Sequence, residues 1–481
     1  MTLNGMTFRD PAGCCYVSGD GVFRFVRPGN VAEFEGFLRT RTARDYVTDK
    51  RLISARRLTE DEFAGHAECS SFISILAEQP NGAIFEHDRI WFRSYPYEWP
   101  PEMLWAAGRL TLDLAIAALT EGYGLKDATP YNVLFRGNEP VFIDALSFER
   151  RHPGDAIWKP YAQFVRTFLL PLLASKRWGV RLADVFLTRP DGLEPEEIYR
   201  LCGPLEKLKP KLLSLVTIPT WLSRKAQRNA QQFYQQRILA DTKKALYILD
   251  SALQRLSCAL DSLRPPTKRK STWSDYMATH SYNDPAFSNK EKFVREALAQ
   301  FKPKRVLDVG ANAGHFSFLA AQGGAEVVAI DLDPVCIGDL FFKAKENKLG
   351  ILPLVVDLAH PSPSVGWRNC ECPSFLGRAT GAFDGLLMLA FLHHLLVTER
   401  VPLEEVLQLA ADLTTSLLVI EFIAPQDAMF CLLTRGRAQL HSELDEKSFE
   451  RACSVHFHIV RSLLLPGTRR TMYCLKRRGN T

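Results

Sequence analysis

Three polar residues in the N-terminal half have types and spacing that could hold a metal ion and a nucleotide. Asp127 and Asn132 stand five positions apart in KDATPYN, which has the composition of a loop. Two short apolar stretches separated by a turn then lead to Asp144. In phosphotransferases an aspartate accepts the hydroxyl proton, while Asn and Asp hold magnesium against the phosphates. The pattern permits phosphoryl transfer, but a hairpin whose Asp and Asn residues only form turns is the simpler interpretation.

A second set of polar residues, in the C-terminal half, has the pattern of a nucleoside site. DVGANAG places Asp308, Gly310 and Gly314 between an apolar and a helical stretch, where glycines let a ligand approach backbone N–H groups. Asp331 ends the next apolar stretch, where a carboxylate can accept hydrogen bonds from a ribose diol. Asn312 replaces the second glycine of a dinucleotide loop, which disfavours NAD. The carboxylate of Asp308 suits an ammonium group, so a nucleoside that carries an amino acid fits both demands.

The elements around this second set alternate between strand and helix. Five apolar stretches have the length of strands: KRVLDVG, EVVAIDLDP, LPLVVDL, GAFDGLLMLAF and SLLVIEFI. Helical patterns such as PLEEVLQLAADL separate some of them, which is typical of a parallel sheet wound with helices. VHFHIVRSL and RRTMYCLKR then predict a terminal antiparallel hairpin. Residues 271–481 are therefore predicted to form a seven-stranded, Rossmann-like α/β domain.

Two further segments precede this predicted domain. Residues 1–185 combine short β-rich stretches with one strongly apolar helix, so we predict an α+β region. Residues 186–270 are rich in Lys, Arg and Leu with apolar residues three and four apart, which predicts amphipathic helices and then a linker at PPTKRKS. Basic helices of this kind can lie on a membrane surface, but their charges are more commonly the solvated face of packed helices.

Composition limits the location and the partners of the chain. It has 481 residues, of which 46% are hydrophobic, and a net charge of +6, which does not indicate a nucleic-acid-binding protein. Eleven cysteines without repeating spacing favour a reducing compartment, and Cys370 and Cys372 lack a second pair at metal-ligand spacing. No signal-peptide pattern or membrane-spanning apolar run is evident. We expect a cytoplasmic protein without a metal site, while its oligomeric state stays open.

The glycine loop and the strand after it carry a family resemblance. VLDVGANAGHFS followed by VVAIDLDP resembles the first two motifs of class I S-adenosylmethionine-dependent methyltransferases. The resemblance covers the C-terminal segment and implies six cofactor-binding residues: Asp308, Gly310, Asn312, Gly314, Asp331 and Asp357. The glycine loop would bind the methionine part of the cofactor, Asp331 the ribose and Asp357 the adenine.

The same resemblance implies acceptor-side residues after the fourth and fifth predicted strands. His393 and His394 in LAFLHHLL follow the fourth strand, and Glu421 ends the fifth. A base is needed only if the acceptor must lose a proton, because positioning can supply much of the reduction in barrier. One histidine could be that base, or both could serve only the structure. The stretch before the first strand is predicted to cover the cofactor, with Tyr282 and Lys290 as contacts.

The N-terminal Asp-Asn-Asp pattern resembles the catalytic loop and metal-binding aspartate of protein-kinase-like and aminoglycoside-phosphotransferase-like folds. That resemblance implies Asp127 as the proton acceptor, with Asn132 and Asp144 as magnesium ligands. The resemblance is partial. Leu125 stands where those families have histidine, and neither a phosphate-binding glycine loop nor a lysine in the early strands is evident.

The chain as a whole resembles the NoeA family of rhizobial host-specific nodulation proteins, through SYPYEW, FIDALSFE, VLDVGANAGHFS and LHHLL. This resemblance implies methyl transfer to a small molecule, a glycan-related metabolite or a protein, in connection with nodulation. The alternative is a kinase-like module that binds ATP and magnesium, with a regulatory C-terminal domain. Affinity for S-adenosylmethionine that depends on Asp331 would favour the first hypothesis. Magnesium-dependent ATP affinity that depends on Asp144 would favour the second.

Overall fold

A computed structural model divides the chain into two compact units. Unit 1 comprises Met1–Tyr97, Pro101–Phe135 and Glu139–Pro265. Unit 2 comprises Glu98–Pro100, Arg136–Asn138 and Pro266–Thr481. The structure describes residues 7, 9–18, 21–59, 61–62, 78–226, 238–267, 284–434 and 443–479. The helical segment that the sequence suggested as separate is grouped largely with unit 1, and the three-part division stays a prediction.

Unit 1 contains a four-stranded antiparallel sheet with the order β1-β2-β4-β3. Its strands are β1 (Gly13–Ser18), β2 (Gly21–Val26), β3 (Arg56–Arg57) and β4 (Ala83–His87). Helices Pro28–Leu38 and Arg41–Thr48 lie between β2 and β3 in the chain. Phe23, Phe25 and Ile84 are buried together on this sheet, as expected where every second side chain of β2 faces one side.

A long helix and two small strand pairs carry the N-terminal Asp-Asn-Asp residues. The strands are β5 (Tyr123–Leu125), β6 (Val133–Arg136), β7 (Glu139–Phe142) and β8 (Phe148–Arg150). β5 pairs with β8 and β6 pairs with β7, and the predicted turn between β6 and β7 has Gly137 at φ +60°. Among the described helices, Pro101–Thr120 has the length and mean hydropathy (1.3) of a membrane span. However, 67% of that stretch is buried within the protein, as in a core helix.

The rest of unit 1 is helical. Its α-helices are Tyr161–Phe164, Leu170–Trp178, Leu182–Phe186, Pro195–Leu201, Pro210–Leu212, Ile218–Ala226 and Thr242–Ser262. Thr242–Ser262 begins at Asp241, whose carboxylate accepts hydrogen bonds from two backbone N–H groups of the first turn. Leu249, Leu253 and Leu260 are buried on one side of it, in agreement with the helical spacing of apolar residues in the sequence.

Unit 2 contains one seven-stranded sheet. Its strands are β9 (Arg305–Val309), β10 (Glu326–Asp331), β11 (Ile351–Val355), β12 (Phe383–Met388), β13 (Thr414–Ile423), β14 (Phe457–Leu464) and β15 (Arg470–Arg477). The order is β11-β10-β9-β12-β13-β15-β14. The first five strands are parallel, and β15 runs antiparallel to both of its neighbours. The α/β prediction for the C-terminal part is thus confirmed.

Helices alternate with these strands along the chain. They are Asp284–Phe301, His315–Gln322, Pro334–Glu346, Phe375–Ala379, Leu403–Leu413, Ala428–Thr434 and Glu446–His456. Val306, Val327, Leu387 and Val419 of the sheet share one buried cluster with Leu340 of a helix. The strand order reverses direction between β9 and β12, and ligands of open α/β sheets bind outside the carboxyl ends of the strands at such a point.

Candidate functional site

The loop after β9 has an unusual backbone that only certain residues adopt. Gly310, Asn312 and Gly314 have φ values of +70°, +49° and +83°, a region that glycine enters freely and asparagine more readily than most residues. A Cβ atom on Gly314 would lie 2.3 Å from a methyl carbon of Leu340, and one on Gly310 would lie 3.0 Å from the ring of Phe391. The sequence DVGANAG thus fits a close turn from strand to helix.

Asp331, at the end of β10, connects this loop to the next one. One carboxylate oxygen accepts a hydrogen bond from the backbone N–H of Asn312 at 2.9 Å, and the other accepts one from the backbone N–H of Asp333 at 2.9 Å. Burial raises the pKa of Asp331, while these backbone donors act in the opposite direction. A carboxylate can accept about four hydrogen bonds, so Asp331 keeps acceptor capacity for a ligand.

A cavity of about 200 Å³ lies in unit 2 beside these residues. Six residues singled out from the sequence line it: Gly310, Asn312, Asp331, Asp357, His393 and His394. Apolar side chains, including Leu332, Leu358 and Phe391, form much of the remaining wall. The cavity therefore combines polar groups in fixed positions with an apolar surface, as small-molecule sites usually do.

Three other predicted residues do not line this cavity. Gly314 lies at the start of the helix after the loop, and Glu421 is fully buried beneath the cavity wall. Asp308 is 3% exposed and accepts a hydrogen bond of 2.6 Å from the hydroxyl of Ser317. Burial raises the pKa of Asp308 to about 6. Its contact with an ammonium group stays a prediction.

Asp357 lies on the rim of the cavity. Its carboxylate accepts a hydrogen bond from the backbone N–H of Ala359 at 2.9 Å and lies 3.1 Å from Nδ1 of His360. The imidazole of His360 is exposed, and its pKa is raised by the hydrogen bond to Asp357. The side chain of Asp357 is 42% exposed, so it can reach a ligand that enters from solvent.

The two adjacent histidines differ in their surroundings. His393 is 4% exposed, and within the described residues its Nδ1 has no hydrogen-bond partner. Burial, together with smaller effects of the nearby side chains of His394, Arg470 and Lys290, lowers the pKa of His393 to about 2. Burial also lowers the pKa of His394, whose ring centroid lies 4.2 Å from that of His393. Both imidazoles are therefore neutral near pH 7.

Glu421 holds part of the cavity wall through a buried ion pair. Its carboxylate accepts hydrogen bonds from Nζ of Lys290 at 2.7 Å and from the backbone N–H of Ala390 at 2.9 Å. Ala390 lines the cavity and has φ +52°, which costs free energy in a residue other than glycine. Glu421 thus stabilises a strained loop immediately before the two histidines.

Arg470 and Asp427 complete this charged cluster, and sequence reasoning missed both. Arg470 is 3% exposed, lines the cavity and contacts the carboxylate of Asp427 at 3.0 and 3.1 Å. Its other terminal nitrogen lies 3.8 Å from Glu421. The pairing of β13 with β15 sets Arg470 opposite Ile423. Only that antiparallel register, which the sequence does not specify, could have identified it.

The predicted covering segment is described only in part. Tyr282 lies outside the described residues. Lys290, in the helix Asp284–Phe301, is 3% exposed and does not line the cavity. Its ammonium group pairs with Glu421, and burial lowers its pKa.

The N-terminal Asp-Asn-Asp residues also lie near one another, in unit 1. The side-chain amide of Asn132 donates to the backbone carbonyl of Asp127 at 3.4 Å, and the backbone carbonyl of Asn132 accepts from the N–H of Ile143 at 2.9 Å. Burial and the charge of Asp144 raise the pKa of Asp127. These contacts bring the three residues close together, and their role as a kinase-like site stays a prediction.

Asp144 is nevertheless engaged by protein groups. Arg24 of β2 donates to one of its carboxylate oxygens at 2.8 Å, and the hydroxyl of Ser147 donates to the other. Within the described parts of the chain, no group of three or more His, Cys, Asp or Glu residues has an arrangement suited to a metal ion. These contacts do not favour the phosphotransferase alternative.

Comparisons with known proteins give one relative that spans almost the whole chain. No family model matches. The nodulation protein NoeA of Rhizobium meliloti (strain 1021) is 29% identical over 476 residues, which cover 98% of this chain and 95% of NoeA.

The solved structures that are similar to part of the chain include two methyltransferases and WbdD. The N-methyltransferase NodS from Bradyrhizobium japonicum WM9 is 15% identical with a TM-score of 0.31, over 41% of this chain and 99% of NodS. The magnesium protoporphyrin IX methyltransferase ChlM from Synechocystis PCC 6803 is 19% identical with a TM-score of 0.30, over 41% of this chain and 89% of ChlM. WbdD is 20% identical with a TM-score of 0.30, over 42% of this chain and 41% of WbdD. By sequence, the chain is similar to the nodulation protein NoeA along nearly its full length.

Proposed function

We propose that the chain is an S-adenosylmethionine-dependent methyltransferase and that its site is the cavity of unit 2. The observation that carries this proposal is the position of Asp331. Its carboxylate is fixed by two backbone N–H groups beside the glycine loop and lines the cavity. A carboxylate at the end of the second strand is suited to a ribose diol.

The architecture of unit 2 supports the same proposal. Five parallel strands are followed by a hairpin in which β15 inserts between β13 and β14. This is the seven-stranded arrangement that the resemblance to class I methyltransferases implies. The cavity is lined by residues that follow β9, β10, β11 and β12, and these strands meet where the strand order reverses.

The residues of the cavity fit a nucleoside that carries an amino acid. Gly310 and Asn312 line the cavity, and the lack of a side chain on Gly310 leaves its backbone open to a close ligand. Asp331 would accept the ribose hydroxyls, and Asp357 on the rim would contact the adenine. The sulfonium of S-adenosylmethionine would supply an electrophilic methyl group.

His393 is suited to orient the methyl acceptor. Because its imidazole is buried and close to two cationic side chains, its pKa is about 2 and it is neutral. A neutral imidazole has one donor and one acceptor nitrogen, and Nδ1 has no partner in the described part of the chain. A hydroxyl or amine of the acceptor can form a hydrogen bond there. Such a weak base favours a role in orientation over proton abstraction.

The acceptor belongs to one of three classes: a small molecule, a glycan-related metabolite or a protein. The relative NoeA is a nodulation protein by name, and we propose that this chain modifies a compound connected with nodulation. A cytoplasmic location is proposed with it.

Calorimetric titration of S-adenosylhomocysteine into the whole chain tests this function. We expect saturable binding that weakens at least about tenfold in Asp331→Ala, because two hydrogen bonds to a charged carboxylate are lost. Asp412→Ala is the matched control, since Asp412 is exposed on the helix Leu403–Leu413. Absence of binding to the folded wild-type chain, or equal affinity in both variants, would contradict the proposal.

A further inference from the structure

We propose that unit 1 binds a small organic phosphate in a cavity of its own. This cavity has a volume of about 230 Å³ and is lined by residues of β5, β8, the loop after β8 and the helices Pro101–Thr120 and Thr242–Ser262. It does not include Asp127, Asn132 or Asp144. The inference is therefore independent of the methyltransferase proposal and of the phosphotransferase hypothesis.

Two arginine side chains line this cavity and can bind an oxyanion. The guanidinium of Arg150 lies 4.8 Å from the centre of the Tyr123 ring, and that of Arg151 donates to the backbone carbonyls of Pro153 and Asp155. Within the described residues, both cations thus contact a ring or carbonyl groups rather than a carboxylate. Guanidinium groups match the oxygen geometry of phosphate, so this pair can bind an oxyanion without first breaking an ion pair.

The charged side chains that line the cavity carry a net positive charge. Lys159 forms an ion pair with Glu149, and the carboxylate of Asp155 accepts a hydrogen bond from the backbone N–H of Ile157 at 3.0 Å. With Arg150 and Arg151, three Lys and Arg side chains thus face two carboxylates. A low-dielectric wall strengthens the attraction of such a site for an anion.

The other wall of the cavity is apolar and aromatic. Leu119, Leu249 and Leu253 line it together with Tyr123 and Trp158. The indole N–H of Trp158 is buried without a hydrogen-bond partner in the described part of the chain, and such groups usually have one. A ligand with a phosphate and a compact apolar body matches both walls, so we infer a phosphate monoester rather than free phosphate.

Titration calorimetry with phenyl phosphate and with inorganic phosphate, at fixed ionic strength, tests this site in the whole chain. We expect saturable binding of phenyl phosphate, and weaker binding of inorganic phosphate because it lacks a group for the apolar wall. The double variant Arg150→Gln and Arg151→Gln should weaken phenyl phosphate binding at least about tenfold, since each charged contact contributes more than a neutral one. Arg200→Gln is the control, because Arg200 is exposed on the helix Pro195–Leu201 and does not line the cavity.

A second variant fills the cavity and keeps both arginines. Gly124 lines the cavity, and a Cβ atom there would meet only Cβ of Arg151, at an ordinary 3.7 Å. Gly124→Leu should therefore fold, as checked by circular dichroism, and should also lose phenyl phosphate. Loss in both variants with retention in the control supports the site. Absence of binding to the wild-type chain, or retention in either folded variant, overturns it.

Discussion

The two units present carboxylates in opposite settings. In unit 1, Asp144 is paired with Arg24, and its second oxygen accepts from Ser147. In unit 2, Asp331 accepts only backbone N–H groups in the contacts found and lines a cavity. The types and spacing of acidic residues suggested a site in both places. A carboxylate that is paired with an arginine contributes to the stability of the fold. A carboxylate that accepts only backbone N–H groups keeps acceptor capacity for a ligand.

Unit 2 contains both a paired carboxylate and a carboxylate that lines the cavity. Glu421 is fully buried and contacts Lys290 and Arg470, whereas Asp331 reaches the cavity. We therefore expect Glu421 to contribute mainly to stability and Asp331 mainly to ligand binding, and variants of the two should separate these effects.

The largest effect is expected from Glu421→Gln. The change leaves the buried ammonium of Lys290 without the carboxylate of Glu421, whereas Arg470 keeps its contact with Asp427. Breaking a buried ion pair in this way costs about 3–5 kcal/mol. Urea denaturation of the whole chain, followed by circular dichroism, measures the loss. Glu405→Gln, on the exposed side of a helix, should change the free energy of unfolding by less than about 0.5 kcal/mol.

A second change tests whether Lys290 is the source of that loss. Adding Lys290→Met to Glu421→Gln removes the buried charge that has lost its carboxylate, so part of the lost stability should return. If Glu421→Gln unfolds at the same urea concentration as the wild type, the ion pair does not stabilise unit 2 and the comparison fails.

Asp308 should make the stability of unit 2 depend on pH. Burial raises its folded-state pKa from 3.8 to about 6, so the folded state holds the proton more tightly than the unfolded state. The contribution of protonated Asp308 to the free energy of unfolding is fully present below about pH 4. It is lost as the pH rises through 6, and the loss is roughly 2–3 kcal/mol. Urea denaturation at several pH values should show this decline.

Two variants isolate the contribution of Asp308. Asp308→Asn should remove the decline, because the amide does not titrate. Ser317→Ala removes the hydroxyl that donates to Asp308, so it should move the decline to higher pH. An unchanged pH dependence in Asp308→Asn would mean that another group is responsible.

A smaller effect is expected in unit 1. Asp144→Asn removes the charge paired with Arg24 and should destabilise unit 1 by about 1–3 kcal/mol. The affinity for S-adenosylhomocysteine should not change. Magnesium-dependent binding of ATP to the wild-type chain, lost in Asp144→Asn, would instead restore the phosphotransferase hypothesis.

The smallest effect is expected for His393, whose imidazole should not titrate between pH 5 and pH 8. His393, with a pKa of about 2, should keep one imidazole chemical shift from pH 5 to pH 8. Exposed His360 should titrate above its usual pKa of 6.5, because it is hydrogen-bonded to Asp357. NMR of the histidine-labelled chain measures both, with His393→Gln and His360→Gln to assign the signals. Titration of His393 near pH 6.5 would make it available as a general base.

Local patterns in the sequence predicted the strands of unit 2 and the loop at Gly310, because strand ends and tight turns depend on neighbouring residues. They also placed Asp331 at the end of the second strand, whereas Asp357 was identified only through the resemblance to class I methyltransferases. The partners of Glu421 were not predictable, since Lys290 is 131 positions away and Arg470 reaches it only through strand pairing. The same reason hid the pair of Arg24 and Asp144, which lie 120 positions apart. The division at residues 185 and 270 and the cytoplasmic location stay predictions.

Hydrogen–deuterium exchange of the whole chain, with and without S-adenosylhomocysteine, would locate the cofactor site. We expect slower exchange in residues 309–314, 329–333 and 389–395, where the backbone lines or supports the cavity. We expect no change in residues 123–150. Absence of protection in unit 2 at saturating ligand, or protection confined to residues 123–150, would contradict the proposed site.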